Sequence, residues 1–442
     1  IAARPTGRIL TGMSAAPPDR PQLFLYGALA LPLSFAGLPL YLHAPDFYAT
    51  ALLQPIAVLG TVLLALRVVD AFQDPLIGAL SDRYSAYRLE IVFAGTVLLL
   101  VGFAGLFNPA VSPLPDGLTL VWFALCVFLC TTGFSIVTIN YQALGGLWDV
   151  PLRDRTKVTG IREAFGLLGV LTASILPAIL QARSDPAQSF SLLSILLPPV
   201  FLVGVWLFLC WYRAAGPAAA KHPSAVAAAP GLIGLLRDPW ARRFYGVFFV
   251  SSLASAIPAV LVLFYIRDRL EAEQSTGLFL VIYFLSGALL LPVWQRIAVR
   301  TGKAKAWAIS MVLAVATFLW AFTLSAGDIL PFAVICILSG SALGADLAIP
   351  PAIVADRLHA AGDQPRAARY FAANAFCAKS AFALATGLSL PALGILGYQP
   401  GQPMAAGVGQ SLAAVYALVP CLIKTLAAIW LFRAMPVLEN RD

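Results

Sequence analysis

AGPAAAKHPSAVAAAPG (215–231) is rich in Ala and Pro, weakly charged and without helical periodicity. Long apolar stretches flank it on both sides of a 442-residue chain. Such a segment reads as a linker, and working outward from it the chain divides into two halves. An α-helix needs roughly 20 apolar residues to cross a bilayer. Stretches of that kind fall at 22–44, 49–72, 90–110, 117–145, 161–183 and 189–213 before the linker. After it they fall at 241–266, 275–298, 305–326, 329–354, 367–395 and 406–434. The expected architecture is an all-α membrane protein of about twelve transmembrane helices in two six-helix bundles. Its parts are an N-terminal tail (1–21), a first bundle (22–214), a linker (215–238), a second bundle (239–435) and a C-terminal tail (436–442).

Composition requires the bilayer as solvent. Hydrophobic residues make up 60% of the chain and charged residues only 11%, against about 25% charged in soluble domains. The mean hydropathy is +0.85. The net charge of +8 does not indicate nucleic acid, because the basic residues are spread through short loops and form no patch. Cys126, Cys130, Cys210, Cys336, Cys377 and Cys421 lie in or beside apolar stretches and read as reduced packing residues. Cys126 and Cys130 are one helical turn apart, with no His or further Cys nearby to complete a metal site. Residues 1–21 are polar and Pro-rich without an apolar core, unlike a cleaved signal peptide. Met13 is the first Met and a candidate start, in which case residues 1–12 would not be native.

Basic residues set the expected topology. Loops on one side carry Arg83, Arg88, Arg153, Arg155, Lys157, Arg213, Lys221, Arg237, Arg296, Arg300, Lys303, Lys305, Arg357, Arg366 and Arg369; the opposite loops hold Arg183, Arg267 and Arg269. This positive-inside asymmetry places both termini in the cytoplasm of a multi-pass inner-membrane protein. The halves echo each other: GALSDRYSAYR (78–88) follows the second span, and QRIAVRTGKAKA (295–306) follows the eighth. Matching basic loops are what internally repeated transporters show.

Ionisable residues inside spans mark function by default. The second span ends LRVVDAFQDPLIGALSDR (66–83), which puts Arg67, Asp70 and Asp74 on one helix face. Two carboxylates at i, i+4 can ligate a Na⁺ ion together, or one can take up a proton. Arg67 offers a counter-charge when no cation is bound. The alternative is a static Arg67–Asp70 pair at the membrane surface, with Asp74 capping a loop before Pro75. Lys379, Asp346 and Lys424 also fall within spans. Each Lys should face the bundle interior and find an acid such as Asp70, Asp74 or Asp346, or snorkel to the interface. Arg162 and Glu163 open the fifth span, where a surface pair is the alternative. At the fourth span's end Thr138, Asn140, Tyr141 and Gln142 either line a substrate cavity or glue helices together.

DAFQDPLIGALSDR (70–83) resembles the signature of the glycoside–pentoside–hexuronide:cation symporters, the group that includes the bacterial melibiose carrier. INYQALGGLWDVPLRDRTKVTGIREAFGLLG (139–169), LPVWQRIAVRTGKAKAW (291–307), FAANAFCAKSAFALATG (371–387) and ILGYQP (395–400) are similar to further segments of that family, in the same order. The resemblance implies the major facilitator fold and symport. It implies that Asp70 and Asp74 are cation-site carboxylates, Arg67 and Lys379 their charged partners, and Arg162 a sugar-site residue. Asp82, Arg83 and Arg155 fall in its cytoplasmic conformational motifs. The family's melibiose carriers place a third acid where this chain has Thr138, a stacking Trp where it has Gln142, and a sugar-binding acid where it has the apolar run LALPLSF (29–35). Coupling residues are thus matched and galactoside residues are not, and the missing acid favours H⁺ over Na⁺.

The expected function is an H⁺- or Na⁺-coupled symporter of a small solute, a sugar or glycoside, working by alternating access, with Tyr141, Gln142, Asn140, Arg162 and Asp346 as substrate-binding residues. No cofactor is expected beyond the coupling ion, with Na⁺ at Asp70 and Asp74 as the metal alternative. The expected partners are the solute and membrane lipid, with a monomeric chain. One competing reading is a carrier of an amphiphile, or an exporter, on the same fold; related carriers of lysolipids share the second-span motif. Another is a non-transporting assembly factor whose charges pair permanently. An enzyme is not expected: the chain has no HExxH, GxSxG or Walker loop, and His43, His222 and His359 are scattered in loops.

Overall fold

The computed structural model describes residues 17–40, 44, 47–48, 52–109, 112, 115, 118–181, 186–215, 232–398 and 407–439. The linker 215–231, except for Ala215, lies outside the described residues, as do Met13, His43, His222 and the end of the 395–400 motif. In the first half α1 (Arg20–Gly27) and α2 (Ala30–Leu38) form one interrupted segment. They are followed by α3 (Ile56–Arg83), α4 (Arg88–Phe107), α5 (Thr119–Gly146), α6 (Arg155–Gln181) and α7 (Pro186–Ala215). The second half holds α8 (Pro239–Phe264), α9 (Thr276–Leu289), α10 (Leu291–Thr301), α11 (Lys303–Ala321) and α12 (Ile329–Ala360). It ends with α13 (Ala367–Ile395), α14 (Val408–Ala413) and α15 (Val419–Glu439).

Among the described residues nine helices are long and apolar enough to cross a membrane. A tenth segment runs from Glu273 through α9 and α10 with a 41° bend. The broken α1–α2 segment and α3, with its Arg67, Asp70 and Asp74, lie outside that count. Ten of the twelve stretches read from the sequence thus qualify by length and apolarity among the described residues, and the other two coincide with α1–α2 and α3.

Two boundaries differ from the sequence reading, and both matter. The apolar stretch of the second span covers 49–72, and a loop starting at Asp74 is the alternative to a helix carrying Arg67, Asp70 and Asp74 on one face. In the structure α3 continues through Pro75 to Arg83, so Arg67, Asp70 and Asp74 occupy its middle. A proline inside a helix removes one i→i−4 hydrogen bond, a cost that tertiary packing of the surrounding turns overrides here. The basic "loops" are also largely helical. Residues 78–83 are the last turns of α3, and 295–306 is broken only at Gly302, whose φ of +93° separates α10 from α11. That left-handed backbone is accessible to Gly at little cost. The start of α8 is capped as its sequence suggests: Asp238 accepts from Trp240 N, and Pro239 occupies the first helical position.

The first half packs around an aromatic core that includes Tyr26, Tyr141, Phe208 and Trp211. One core of the second half recruits Ile139, Ala143 and Leu147 from α5, so the halves share apolar packing at one end. Large apolar side chains such as Leu202, Val203 and Trp206 on α7 are exposed. In water such a surface would be a liability; in a bilayer it is the lipid-facing wall.

Candidate functional site

Helices α3 and α13 belong to different halves and run against each other. Small residues permit the approach: a methyl group on Gly78 would lie 2.5 Å from the Ala372 Cβ. Deeper along the pair, Lys379 of α13 donates to Asp70 Oδ1 at 2.8 Å and to Asp74 Oδ1 at 2.9 Å. Its third hydrogen bond goes to Ser135 Oγ of α5 at 2.7 Å. Gln73 Nε2 and Ser135 Oγ also donate to Asp70 Oδ1, at 2.9 and 3.2 Å, and Thr132 holds Gln73 at 3.0 Å. Both aspartates are buried. Asp74 Oδ2 accepts no hydrogen bond among the described residues, an unusual state for a buried carboxylate oxygen. Thr138, one turn beyond Ser135 on α5, likewise has a buried Oγ1 without a partner among the described residues. Arg67 stands one turn before Asp70 with its guanidinium 5.3 Å from the Phe382 ring centroid, facing the same α13.

A second set of bridges lies nearer the ends of the helices. Asp82, the last acid of α3, accepts from the backbone N–H groups of Ala368 and Arg369 at 2.9 and 3.0 Å. These are the first-turn donors of α13, which a helix leaves unsatisfied and which favour an anion. Arg88 holds the other flank of the same carboxylate at 2.6 Å. Arg155 reaches across to Ala355 O at 3.0 Å and Asp356 Oδ1 at 3.2 Å, and Lys303 binds Asp356 at 2.6 Å and Leu152 O at 3.0 Å. Thr159 donates to Ala348 O at 2.7 Å, and a His359 ring nitrogen lies 2.9 Å from Gly146 O. The contacts of Asp82 with α13, of Arg155 and Thr159 with α12, of Lys303 with Leu152 and of His359 with Gly146 tie one half to the other at the same end of the molecule, while Arg88–Asp82 and Lys303–Asp356 brace that end from within each half. Arg83 is not part of this clasp: it is exposed, with its guanidinium 5.7 Å from the Tyr84 ring centroid.

The residues expected to bind substrate divide. Gln142 is half-buried and its amide makes no hydrogen bond among the described residues. Arg162 is buried and paired with its neighbour Glu163. Tyr141 is placed differently from expectation. It sits in the first half's core, donating to Tyr26 O at 2.6 Å and packing on the Tyr26 and Phe208 rings. Asn140 ties α5 to α3 through Ser81 Oγ at 3.0 Å, as helix glue. Asp346 lies within the second half, paired with Lys424 and accepting from Trp307 Nε1 at 2.9 Å and Ser255 at 3.2 Å. Lys424 is buried there and does not snorkel. Ser135, Gln73 and Thr132 were not singled out in the sequence. Their only signal was polarity inside apolar helices.

A family model described as MFS/sugar transport protein matches residues 23–437. The chain belongs to this family. The transporter is similar to the glucuronide carrier protein homolog of Escherichia coli (strain K12), with 24% identity over 397 residues covering 85% of this chain and 84% of that one. It is 30% identical over 160 residues to an uncharacterized symporter of Synechocystis sp. (strain ATCC 27184 / PCC 6803 / Kazusa), a match spanning 32% of this chain and 28% of that protein. Its match to the E. coli inner membrane symporter YicJ covers 30% of each chain at 26% identity. Thus the chain spans under a third of two curated relatives and most of a third. Among solved structures it is similar to a bacterial homologue of the iron transporter ferroportin, with a TM-score of 0.71 at 17% identity over 94% of this chain and 99% of that one. It is also similar to the E. coli fucose:proton symporter FucP, with a TM-score of 0.61 at 16% identity over 93% and 97%. These structures establish the major facilitator fold. The protein is therefore a membrane-embedded transporter of a small molecule and not an enzyme.

Proposed function

We propose that the transporter is a cation-coupled symporter of a small sugar-type solute, with Asp70, Asp74 and Lys379 as its coupling site. The observation that carries this reading is the Lys379 ammonium shared by Asp70 and Asp74 across the two halves, with Asp74 Oδ2 left unpaired. The three groups sum to one negative formal charge, so one H⁺ or one Na⁺ brings them to neutrality. A buried carboxylate is costly where its charge is not fully met, which favours cation uptake at Asp74 Oδ2 even with the Arg67 counter-charge one turn before Asp70. Asp74 Oδ2 and Thr138 Oγ1 are oxygens available to a cation. Once the cation is bound, Lys379 is no longer needed by both aspartates, and the bond joining α3 to α13 weakens. Charge balance then governs whether the halves rock, as alternating access requires.

The resemblance to symporters, and to a glucuronide carrier homolog over most of both chains, supports a sugar-type solute. Gln142 and Arg162 are the substrate contacts of this reading, and its membrane is the inner (cytoplasmic) membrane with both termini in the cytoplasm. The test is Asp74→Asn in proteoliposomes, offered a panel of sugars with and without pH or Na⁺ gradients. Gradient-driven accumulation should be lost while energy-independent exchange persists. Unchanged accumulation would remove Asp74 from the coupling site.

A further inference from the structure

The second half contains a cavity of ≈ 250 Å³ whose walls come from α8, α9, α11, α12 and the α14–α15 segment. No lining residue comes from α13 or from the first half, so it is separate from the Asp70–Asp74–Lys379 site. Phe279, Phe318 and Phe332 supply apolar walls. The Asp346–Lys424 pair closes one side. Lys424 also donates to Ser251 Oγ and Ser255 Oγ, each at 2.9 Å, and Trp307 holds the second Asp346 oxygen. The pair is formally neutral and its hydrogen bonds are made.

Two phenols in the same cavity are different. Tyr283 and Tyr416 line it, and neither hydroxyl makes a hydrogen bond among the described residues. Tyr416 is 3% exposed. A phenol hydroxyl in such surroundings ordinarily finds a partner. Tyr416 also lies in a π-helical turn, Ala414–Leu418. Its ring stacks on Tyr265, with centroids 4.0 Å apart, and Tyr265 belongs to a second π-helical turn, Tyr265–Arg269. Single π turns concentrate at functional sites.

We propose that this cavity is a second ligand site, for a neutral aromatic molecule carrying one or two hydroxyl groups. Ring walls favour a flat apolar body. The Tyr283 and Tyr416 hydroxyls can donate to and accept from a ligand hydroxyl. A formally charged ligand would upset the neutral Asp346–Lys424 pair inside the membrane and be disfavoured. The size, just below the roughly 300–1,000 Å³ of small-ligand pockets, suits a molecule of one or two rings.

The test is equilibrium binding of 2-naphthol to the purified full chain in nanodiscs, against protein-free nanodiscs and 2-naphthoate, which has the same rings and a charge. Saturable binding at one site per chain is expected, with 2-naphthoate at least tenfold weaker. Tyr283→Phe with Tyr416→Phe keeps both rings and should raise Kd about tenfold or more. Ala342→Leu, which fills the cavity from its wall, should abolish binding while thermal unfolding shows a folded protein. Three results would overturn the site: unsaturable uptake equal to that of protein-free nanodiscs, an unchanged Kd in the double Phe variant, or 2-naphthoate binding as tightly as 2-naphthol. No ion gradient enters the measurement, so neither outcome depends on the coupling reading.

Discussion

An ammonium has three protons, and Lys379 commits one each to Asp70, Asp74 and Ser135. Removing it leaves two buried carboxylates without their cation. Lys379→Gln should therefore destabilise the folded protein toward the lower end of about 3–5 kcal/mol, since the Lys379 side chain keeps 23% exposure. Asp74→Asn should cost less, because Asp70 remains as partner. Adding Asp74→Asn to Lys379→Gln should recover part of the loss, and thermal unfolding of the three variants checks the ranking. A double variant no more stable than Lys379→Gln would show that the two groups do not interact. This trio was legible because a charge inside a span has few benign explanations. Ser135 was not, since a hydroxyl in an apolar helix often bonds only its own backbone. Tyr141 falls under the helix-packing alternative that the sequence leaves open: polarity at the end of α5 does not show the helix rotation, which turns Tyr141 into the core and leaves Gln142 half-buried. Tyr141→Phe should leave solute affinity unchanged and cost about 1 kcal/mol of stability for the lost hydrogen bond. An affinity change measured by solute binding would return Tyr141 to the site.

At the scale of elements, α3 and α13 meet at two levels, eight residues apart on α3 between Asp74 and Asp82. At 1.5 Å per residue that is about 12 Å. The deeper level is a charge bridge, which a coupling cation would relax under the proposed function; the other is an N-terminal cap whose strength depends on the charge of Asp82. Asp82→Asn keeps the side chain's size and removes the anion that α13 and Arg88 share. Helix-terminus charges contribute on the order of 1–2 kcal/mol when partly buried, a shift of about 5- to 30-fold in a two-state ratio. Spin labels at Tyr87→Cys and Ala361→Cys, both exposed, should show a larger population of long distances across this end in Asp82→Asn. Distance distributions identical to those of the parent would mean that apolar packing alone holds the halves. The true extent of α3 was hidden in the sequence by Pro75, which ordinarily ends a helix, and by charges that lower its hydropathy. What the hydropathy of α3 could not reveal is that its partner α13 satisfies those charges.

For the molecule as a whole, the clasp residues Asp82, Arg155, Lys303 and Asp356 all lie at one end, together with Arg88 and Arg357. The sequence places these residues in loops rich in Lys and Arg, so the positive-inside rule assigns the clasped end to the cytoplasm. These charges then serve two purposes: their cations would fix orientation during insertion, and Arg155–Asp356 joins the halves while Arg88–Asp82, Lys303–Asp356 and Arg357–Asp238 brace each half from within. Under the proposed function, closure at this end would leave the coupling site to take its cation from the opposite side of the membrane. The orientation can be checked independently of transport. Tyr87 at the clasped end and Leu396 at the opposite end are both exposed, and the native cysteines among the described residues are buried or half-buried, which keeps background labelling low. A membrane-impermeant maleimide applied to intact cells should label Leu396→Cys and spare Tyr87→Cys until the membrane is opened. The reverse pattern would put the clasp on the outer face. Asp70 and Asp74 would then receive their cation from the cytoplasm, and export would replace import as the direction the gradient drives.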